Sequence, residues 1–196
     1  TEQLAGLPDV LELPMDRPRP AAASHIGAHT QLVIPGDVAS AVDRLRSERG
    51  VTSFVVIHAA LAVLLARLSA SDDIAIATPI AGRGQRALDP LVGMFVNTLV
   101  LRSRIDPQMT FDELVGDIRT TDLDAFAHAD VPFEALVEKL NPVRSEAFSP
   151  LAQVMLSFDP AASAGAAVEN VADLGIAPVD RDSCLLYTSD AADEED

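Results

Sequence analysis

The stretch from Ser53 to Leu68 limits what this chain can fold into more than any other. It reads Ser-Phe-Val-Val-Ile-His-Ala-Ala-Leu-Ala-Val-Leu-Leu-Ala-Arg-Leu and is apolar on nearly every side. A helix with no polar face has to lie at the centre of a core. The run is too short to span a bilayer and is interrupted by His58 and Arg67, so it is predicted as a buried helix. Thr52 can cap its start. A chain of 196 residues, 48% of them hydrophobic, can enclose such a helix in one domain or large subdomain.

The neighbouring segments supply the rest of a layered fold. Val38 to Glu48 is amphipathic, with Val38, Val42 and Leu45 on one face. Gly50 closes it as a C-cap. His29 to Ile34, Asp73 to Pro79, Met94 to Ile105 and Gln153 to Phe158 read as strands. Thr110 and Glu113 form a capping box ahead of a helix to about Ala127, and Pro132 starts a short helix from Phe133 to Leu140. The order β, α, α, β, β, α, α, β is not a regular βαβ repeat. It predicts a mixed α/β (α+β layered) domain and not a doubly wound one. Leu11 to Pro20 carries three prolines (Pro14, Pro18, Pro20) and reads as an extended linker. Ala161 to Ala172 is Ala-rich and reads as a loop or a loose helix.

Charge excludes one large class of function. The chain has 14 basic and 30 acidic residues, a formal net charge of −16. Nucleic-acid binding needs a basic face to displace counterions, so no nucleic-acid partner is expected. With no membrane span, no visible secretory leader and a single cysteine, a cytoplasmic chain is expected, with no disulfide and no cysteine metal cluster.

That cysteine, Cys184, and the only tyrosine, Tyr187, lie in a tail unlike the rest. Cys184 to Glu194 resembles an in-frame translation of a transposase adapter used in sequencing libraries. A back-translation matching that adapter reproduces every residue. The tail also carries Asp190, Asp193, Glu194, Glu195 and Asp196 and no base. Residues 184–196 are therefore expected to be read-through, with the natural sequence ending near Asp180 to Ser183. An ordinary frayed acidic terminus is the other reading.

Isolated chemistry-bearing residues have structural readings. His25 and His29 flank a strand start with no third ligand at suitable spacing, so no metal is expected. His58 is a lone histidine on an apolar helix, predicted to be a satisfied core residue. Gly82-Arg83-Gly84 is not followed by Gly-Lys-Ser/Thr and is not a phosphate loop. There is no Gly-x-Ser-x-Gly elbow. The acids are expected singly on polar faces, with no acid/base pair. His128 ends one helix, where a cation suits the dipole. Asp130 precedes the next, where a carboxylate suits the N-terminus. Phe133 is expected to pack inward. Arg144 is expected to anchor its loop through a bidentate carboxylate pair.

Three ordered blocks remain: Leu91-Val-Gly-Met-Phe-Val-Asn-Thr-Leu-Val-Leu-Arg102, His128-Ala-Asp-Val-Pro-Phe-Glu134 and Arg144-Ser-Glu-Ala-Phe-Ser-Pro-Leu151. With Leu11 to Pro20, they resemble the later core motifs of the condensation domain of nonribosomal peptide synthetases. The resemblance covers about Leu11 to Phe158. Ala129 stands where the family commonly has Gln, and Ala152 where Phe is usual. The family's catalytic His-His-x-x-x-Asp-Gly occurs nowhere in the sequence.

The resemblance implies a chloramphenicol-acetyltransferase-like half, a mixed sheet covered by helices. It divides the chain into 1–20, the end of an N-terminal half and a linker, and 21–180, a truncated C-terminal subdomain. The parent enzyme would form peptide bonds between aminoacyl or peptidyl groups tethered to carrier proteins. The two halves would enclose a tunnel entered by phosphopantetheine arms, so no cofactor is expected to bind directly. Implied partners are the N-terminal half, the upstream and downstream peptidyl carrier domains and the synthetase's adenylation domain. No catalytic residue is assigned here, and the isolated piece is expected to be inactive.

The tunnel wall implied by the resemblance includes Gly93, Asn97, Thr98, Gln153 and Ser157. A floor segment is implied within Pro79 to Val92 and a crossing loop near Ala161 to Pro178. His128, Asp130, Pro132, Phe133, Glu134 and Arg144 are assigned structural parts. Strand alternation places Met94, Val96 and Thr98 on one face and Phe95, Asn97 and Leu99 on the other. Asn97 either stitches a neighbouring loop or lines the tunnel, since a buried amide must find partners. Epimerisation, heterocyclisation and non-catalytic carrier docking are alternatives to condensation.

Overall fold

Helices α1 (Gly36–Arg49) and α2 (Ser53–Ser69) meet at a sharp corner, 113° between them. The corner is made by Gly50, whose φ of 62° is left-handed and whose N–H returns to the Arg46 carbonyl. Thr52 then opens α2, its side chain accepting the Val55 N–H at 3.3 Å. This computed structural model describes residues 2–82 and 90–158. They fall into two units: 2–23 with 34–82 and 90–156, and 24–33 with 157–158. The segments at 161–178 and 184–196 lie outside the described residues.

The first unit is built on strand β1 (Asp73–Ile80). Strand β2 (Asn97–Arg104) runs antiparallel to it, from Asp73 opposite Arg104 to Ile80 opposite Asn97. Strand β3 (Val154–Met155) pairs parallel with Ile76 and Ala77. The sheet order is β2-β1-β3, a mixed sheet. Helices α3 (Phe111–Ala127) and α4 (Phe133–Leu140) complete the unit.

Alternation along β1 separates two cores. Ile74 and Ile76 are fully buried against Val55, Ala59, Ala62 and Leu65 of α2 and Leu114, Val115 and Ile118 of α3. Fully burying an aliphatic side chain of this size contributes about 1.5–3 kcal/mol. Ala77 and Val100 point to the opposite face, among Leu4, Leu151 and Ala152, with Phe133, Leu136, Val137 and Leu140 of α4 packed on them. The apolar α2 is thus central, as its composition requires. No single helix among the described residues is long and apolar enough to cross a membrane.

Three strand boundaries differ from the sequence reading. His29–Ile34 forms no strand: Leu32 is 87% and Val33 77% exposed, and β-rich residues become a strand only with a ladder partner. β2 begins at Asn97 and not at Met94, so Gly93 precedes the strand. The reason lies at Gly82, with φ 62°, where a Cβ would stand 1.7 Å from the Phe95 carbonyl oxygen. The two chain ends approach too closely there for regular pairing to continue. β3 covers only Val154–Met155 of the expected Gln153–Phe158. The Gln153 side chain is diverted to the carbonyls of Asp9 and Ser149, and Ser157 and Phe158 belong to the second unit.

The capping box of α3 is complete. Thr110 Oγ1 accepts the Glu113 N–H at 3.3 Å, and Glu113 Oε2 accepts the Thr110 N–H at 2.8 Å. These bonds, first from the backbone and then from the Thr110 hydroxyl, hold the Glu113 carboxyl below its ordinary 4.5. A lowered folded-state value means the contribution is present at neutral pH and lost as pH falls through it. Thr110→Ala is expected to cost about 1 kcal/mol at pH 7. The difference from the parent in urea denaturation should shrink at pH 3.

Candidate functional site

The turn between α3 and α4 carries the chain from one face of the sheet to the other, beside the start of β2. Asn97 holds it there. Its Nδ2 donates to the carbonyls of Ala129 (2.9 Å) and Val131 (2.8 Å). Its Oδ1 accepts the N–H groups of Phe133 (3.1 Å) and Thr98 (2.9 Å). Both donors and both acceptor sites of the amide are used. The cap position of α4 is Pro132, which has no side-chain acceptor. Asn97 therefore caps α4 from a different element.

This arrangement corrects two readings. Asp130 is exposed and does not hold the first N–H of α4; Asn97 does, because the strand end lies against the helix start. Arg144 is exposed and makes no ion pair among the described residues. Its loop is held instead by backbone groups, including Val143 N–H to Asp9 Oδ1 at 3.0 Å. Arg144, Ser145 and Pro150 face Phe133, Glu134 and Val137 across an open groove of about 450 Å³. His128 is the exposed C-cap of α3, its N–H bonded to the carbonyls of Ala125 and Phe126. Phe133 is half-buried against the α4-side core, packed inward as expected.

The other wall candidates have separate surroundings. Thr98 lies opposite Pro79 in the ladder. Gly93 is exposed, with the Phe95 ring 3.3 Å from where its Cβ would be. Gln153 accepts the Leu11 N–H at 2.8 Å and donates to Asp9 (3.1 Å) and Ser149 (2.8 Å) carbonyls. Ser157 is exposed and lies in the second unit. Of the floor segment, residues 83–89 lie outside the described residues.

The partners in two buried polar clusters escaped the sequence reading. His58 Nδ1 lies 3.0 and 3.2 Å from the two Asp122 carboxylate oxygens, and its Nε2 is 3.5 Å from Ser103 Oγ. All three residues are buried, His58 completely. The order Ser, His, Asp matches that of a hydrolytic relay, but no solvent reaches it. Here it ties α2, α3 and β2 together. His58 is the satisfied core residue expected. Asp122 is not on a polar face, because it falls four residues after Ile118 on the stripe begun by Leu114. That spacing was a legible signal.

The second cluster centres on Arg102. Its Nε and Nη2 donate to the two oxygens of Asp73 at 2.7 and 2.5 Å, a bidentate pair. Hydrogen bonding to Asp73 raises the guanidinium pKa, against the opposing effect of burial and with help from the Asp73 charge. The signal was an arginine at an inward strand position, beside Val100 and in phase with it.

The condensation-domain family model matches residues 1–182. The chain belongs to the condensation-domain family. An isonitrile lipopeptide synthase of Mycobacterium tuberculosis is 48% identical over 155 residues, 79% of this chain and 6% of that protein. A dimodular nonribosomal peptide synthase of Bacillus subtilis is 46% identical over 157 residues, 80% of this chain and 7% of that one. The chain thus spans a small part of the curated relatives it matches. Among solved structures, a four-domain nonribosomal peptide synthetase, holo-AB3403, bound to AMP and glycine superposes with a TM-score of 0.76. It is 30% identical and covers 80% of this chain and 12% of that one. The X-domain from teicoplanin biosynthesis gives 0.74 at 30% identity, over 79% of this chain and 34% of that one. The fold is that of condensation domains.

Asn97→Ala is expected to unpair the Ala129 and Val131 carbonyls and the Phe133 N–H, costing about 1–3 kcal/mol. His128→Gln is expected to cost about 0.3–1 kcal/mol. Denaturation midpoints of the two variants check the order. His58→Leu leaves the Asp122 carboxylate buried without its partner and is expected to cost about 3–5 kcal/mol. The His58→Leu/Asp122→Leu double variant should recover much of that loss in the same measurement.

Proposed function

We propose that this chain is the C-terminal half of a condensation domain that joins carrier-tethered aminoacyl and peptidyl groups. In this reading residues 21–180 form the half and 1–20 the junction with the N-terminal half. The observation that carries it is the family match over 1–182, joined to a fold superposing on a nonribosomal peptide synthetase. The His-His-x-x-x-Asp-Gly motif is not in this sequence, so the base belongs to the other half. This half contributes one wall of the tunnel.

A wall without a base still matters. Peptide-bond formation here requires an amine and a thioester to meet in one orientation. Holding two reactants in a productive geometry supplies a large share of such a barrier. Asn97 and Thr98, at the start of β2, and Gly93, which precedes it, are wall residues in this reading. The acyl groups arrive on phosphopantetheine arms of upstream and downstream carriers loaded by an adenylation domain, all in the cytoplasm.

The test is reconstitution. Incubated with loaded donor and acceptor carriers, the chain by itself is expected to give no dipeptide by mass spectrometry. Joined to an N-terminal half carrying His-His-x-x-x-Asp-Gly, it is expected to give dipeptide. Dipeptide from the chain alone would overturn the assignment of the base. A docking role without catalysis is favoured by one observation: a similar solved structure is a complex of an X-domain with OxyB, TM-score 0.74 at 30% identity. Carrier binding with no dipeptide from the joined halves would select that role.

A further inference from the structure

Residues 1–20 were expected to be the end of an N-terminal half and a linker, yet Glu2 to Leu13 is built into the sheet unit. Leu4 is buried in the core on the α4 side, and Leu7 packs there too. Leu11 is buried on the opposite side, in the core of Ile74 and Ile76, with Leu13 beside it. Between these points the chain has to round an edge of the sheet. Pro8, Val10 and Leu11 do so beside Ser71, Asp73, Ala75 and Gln153. That is the edge of β1 left open because β3 pairs only with Ile76 and Ala77.

Two side chains fasten the segment. The Arg102 guanidinium donates Nη1 to the carbonyls of Gln3 (3.0 Å) and Ala5 (2.8 Å) and Nη2 to that of Gly6 (3.4 Å). Asp73 fixes its orientation from the other side. Gln153 takes the Leu11 N–H and gives one N–H to Asp9 and the other to Ser149. Asp9 adds a bond of its own to the Val143 N–H. Arg102 lies on β2 and Gln153 immediately precedes β3, so one fastening sits on an outer strand and the other at the start of the opposite outer strand.

We infer that Arg102 and Gln153 are positioning residues for condensation: they moor the incoming segment so that the N-terminal half is held in a fixed pose across the tunnel. This rests on the function proposed above. A free linker would let the two halves sample many separations. A segment hydrogen-bonded at Gln3, Ala5, Gly6, Asp9 and Leu11 and plugged by Leu4 and Leu11 confines that motion to residues ahead of it. A misplacement of about 1 Å can cost up to about a hundredfold in rate. The mooring therefore acts on turnover without touching substrate.

The experiment uses the intact module with its carriers. One spin label is placed at Asp117→Cys on α3 and another at an exposed position of the N-terminal half. The parent is expected to give one narrow distance peak. Gln153→Met keeps length and loses all three bonds; Arg102→Lys keeps charge and loses the fork. Each is expected to broaden the peak and lower kcat about tenfold, with the KM for both carriers unchanged. Asp9→Ala, which removes one exposed bond, tests the same point without risk to folding and is expected to lower kcat about twofold. Narrow peaks with parental kcat in folded variants would overturn the inference. So would a loss confined to KM. If the parent makes no dipeptide while the peak still broadens, the mooring stands and the condensation reading falls.

Discussion

Strand β1 is paired along one edge by β2, on the other by β3 at Ile76 and Ala77, and covered on both faces, and the other elements take their places from it. Ile74 and Ile76 collect α2 and α3 on one side. Ala77 collects α4 and the N-terminal turn on the other. A strand buried on both faces requires each covering element to bring an apolar face. The segment from Pro8 to Leu11 fits that requirement where β3 is too short to reach. It closes the uncovered edge of β1 with chain that is not itself a strand.

Three polar side chains inside this frame are paired, and each pairing joins elements distant in sequence. Arg102 joins β2 to Asp73 on β1 and to the chain start. His58 joins α2 to Asp122 on α3. Asn97 joins β2 to the α3–α4 turn and to the first N–H of α4. Burying such groups is costly unless they find partners. Once paired, they exclude alternative packings in which a partner would be lost. The apolar contacts set the layers, and the polar contacts choose one arrangement of them.

For the proposed chemistry, this division has a consequence. In the proposed reading the base belongs to the other half, and this half contributes a stiff wall. The start of β2, which includes Asn97 and Thr98, is stiffened by the hydrogen bonds of Asn97, while Gly82 and Phe95 bring together the ends of the preceding connection. In that reading the side chains that satisfy buried backbone groups also fix the wall along which a bound acyl chain would lie.

Much of this was legible in the sequence. The apolar character of Ser53 to Leu68 demanded burial, the Thr110 and Glu113 pair marked a helix start, and Gly50 marked a helix end. These are local properties, carried by residues within one or two turns of each other. The ordered blocks around Asn97, His128 and Arg144 identified the family. Only the tertiary structure decided the partners of Asn97, Asp122, Arg102 and Gln153. It also denied Asp130 and Arg144 the roles their positions suggested and, among the described residues, left His29 to Ile34 outside any strand. The reason is physical: a helix or cap is decided by neighbours in the chain, whereas a hydrogen bond between residues as far apart as Leu11 and Gln153 depends on which surfaces the folded layers bring together.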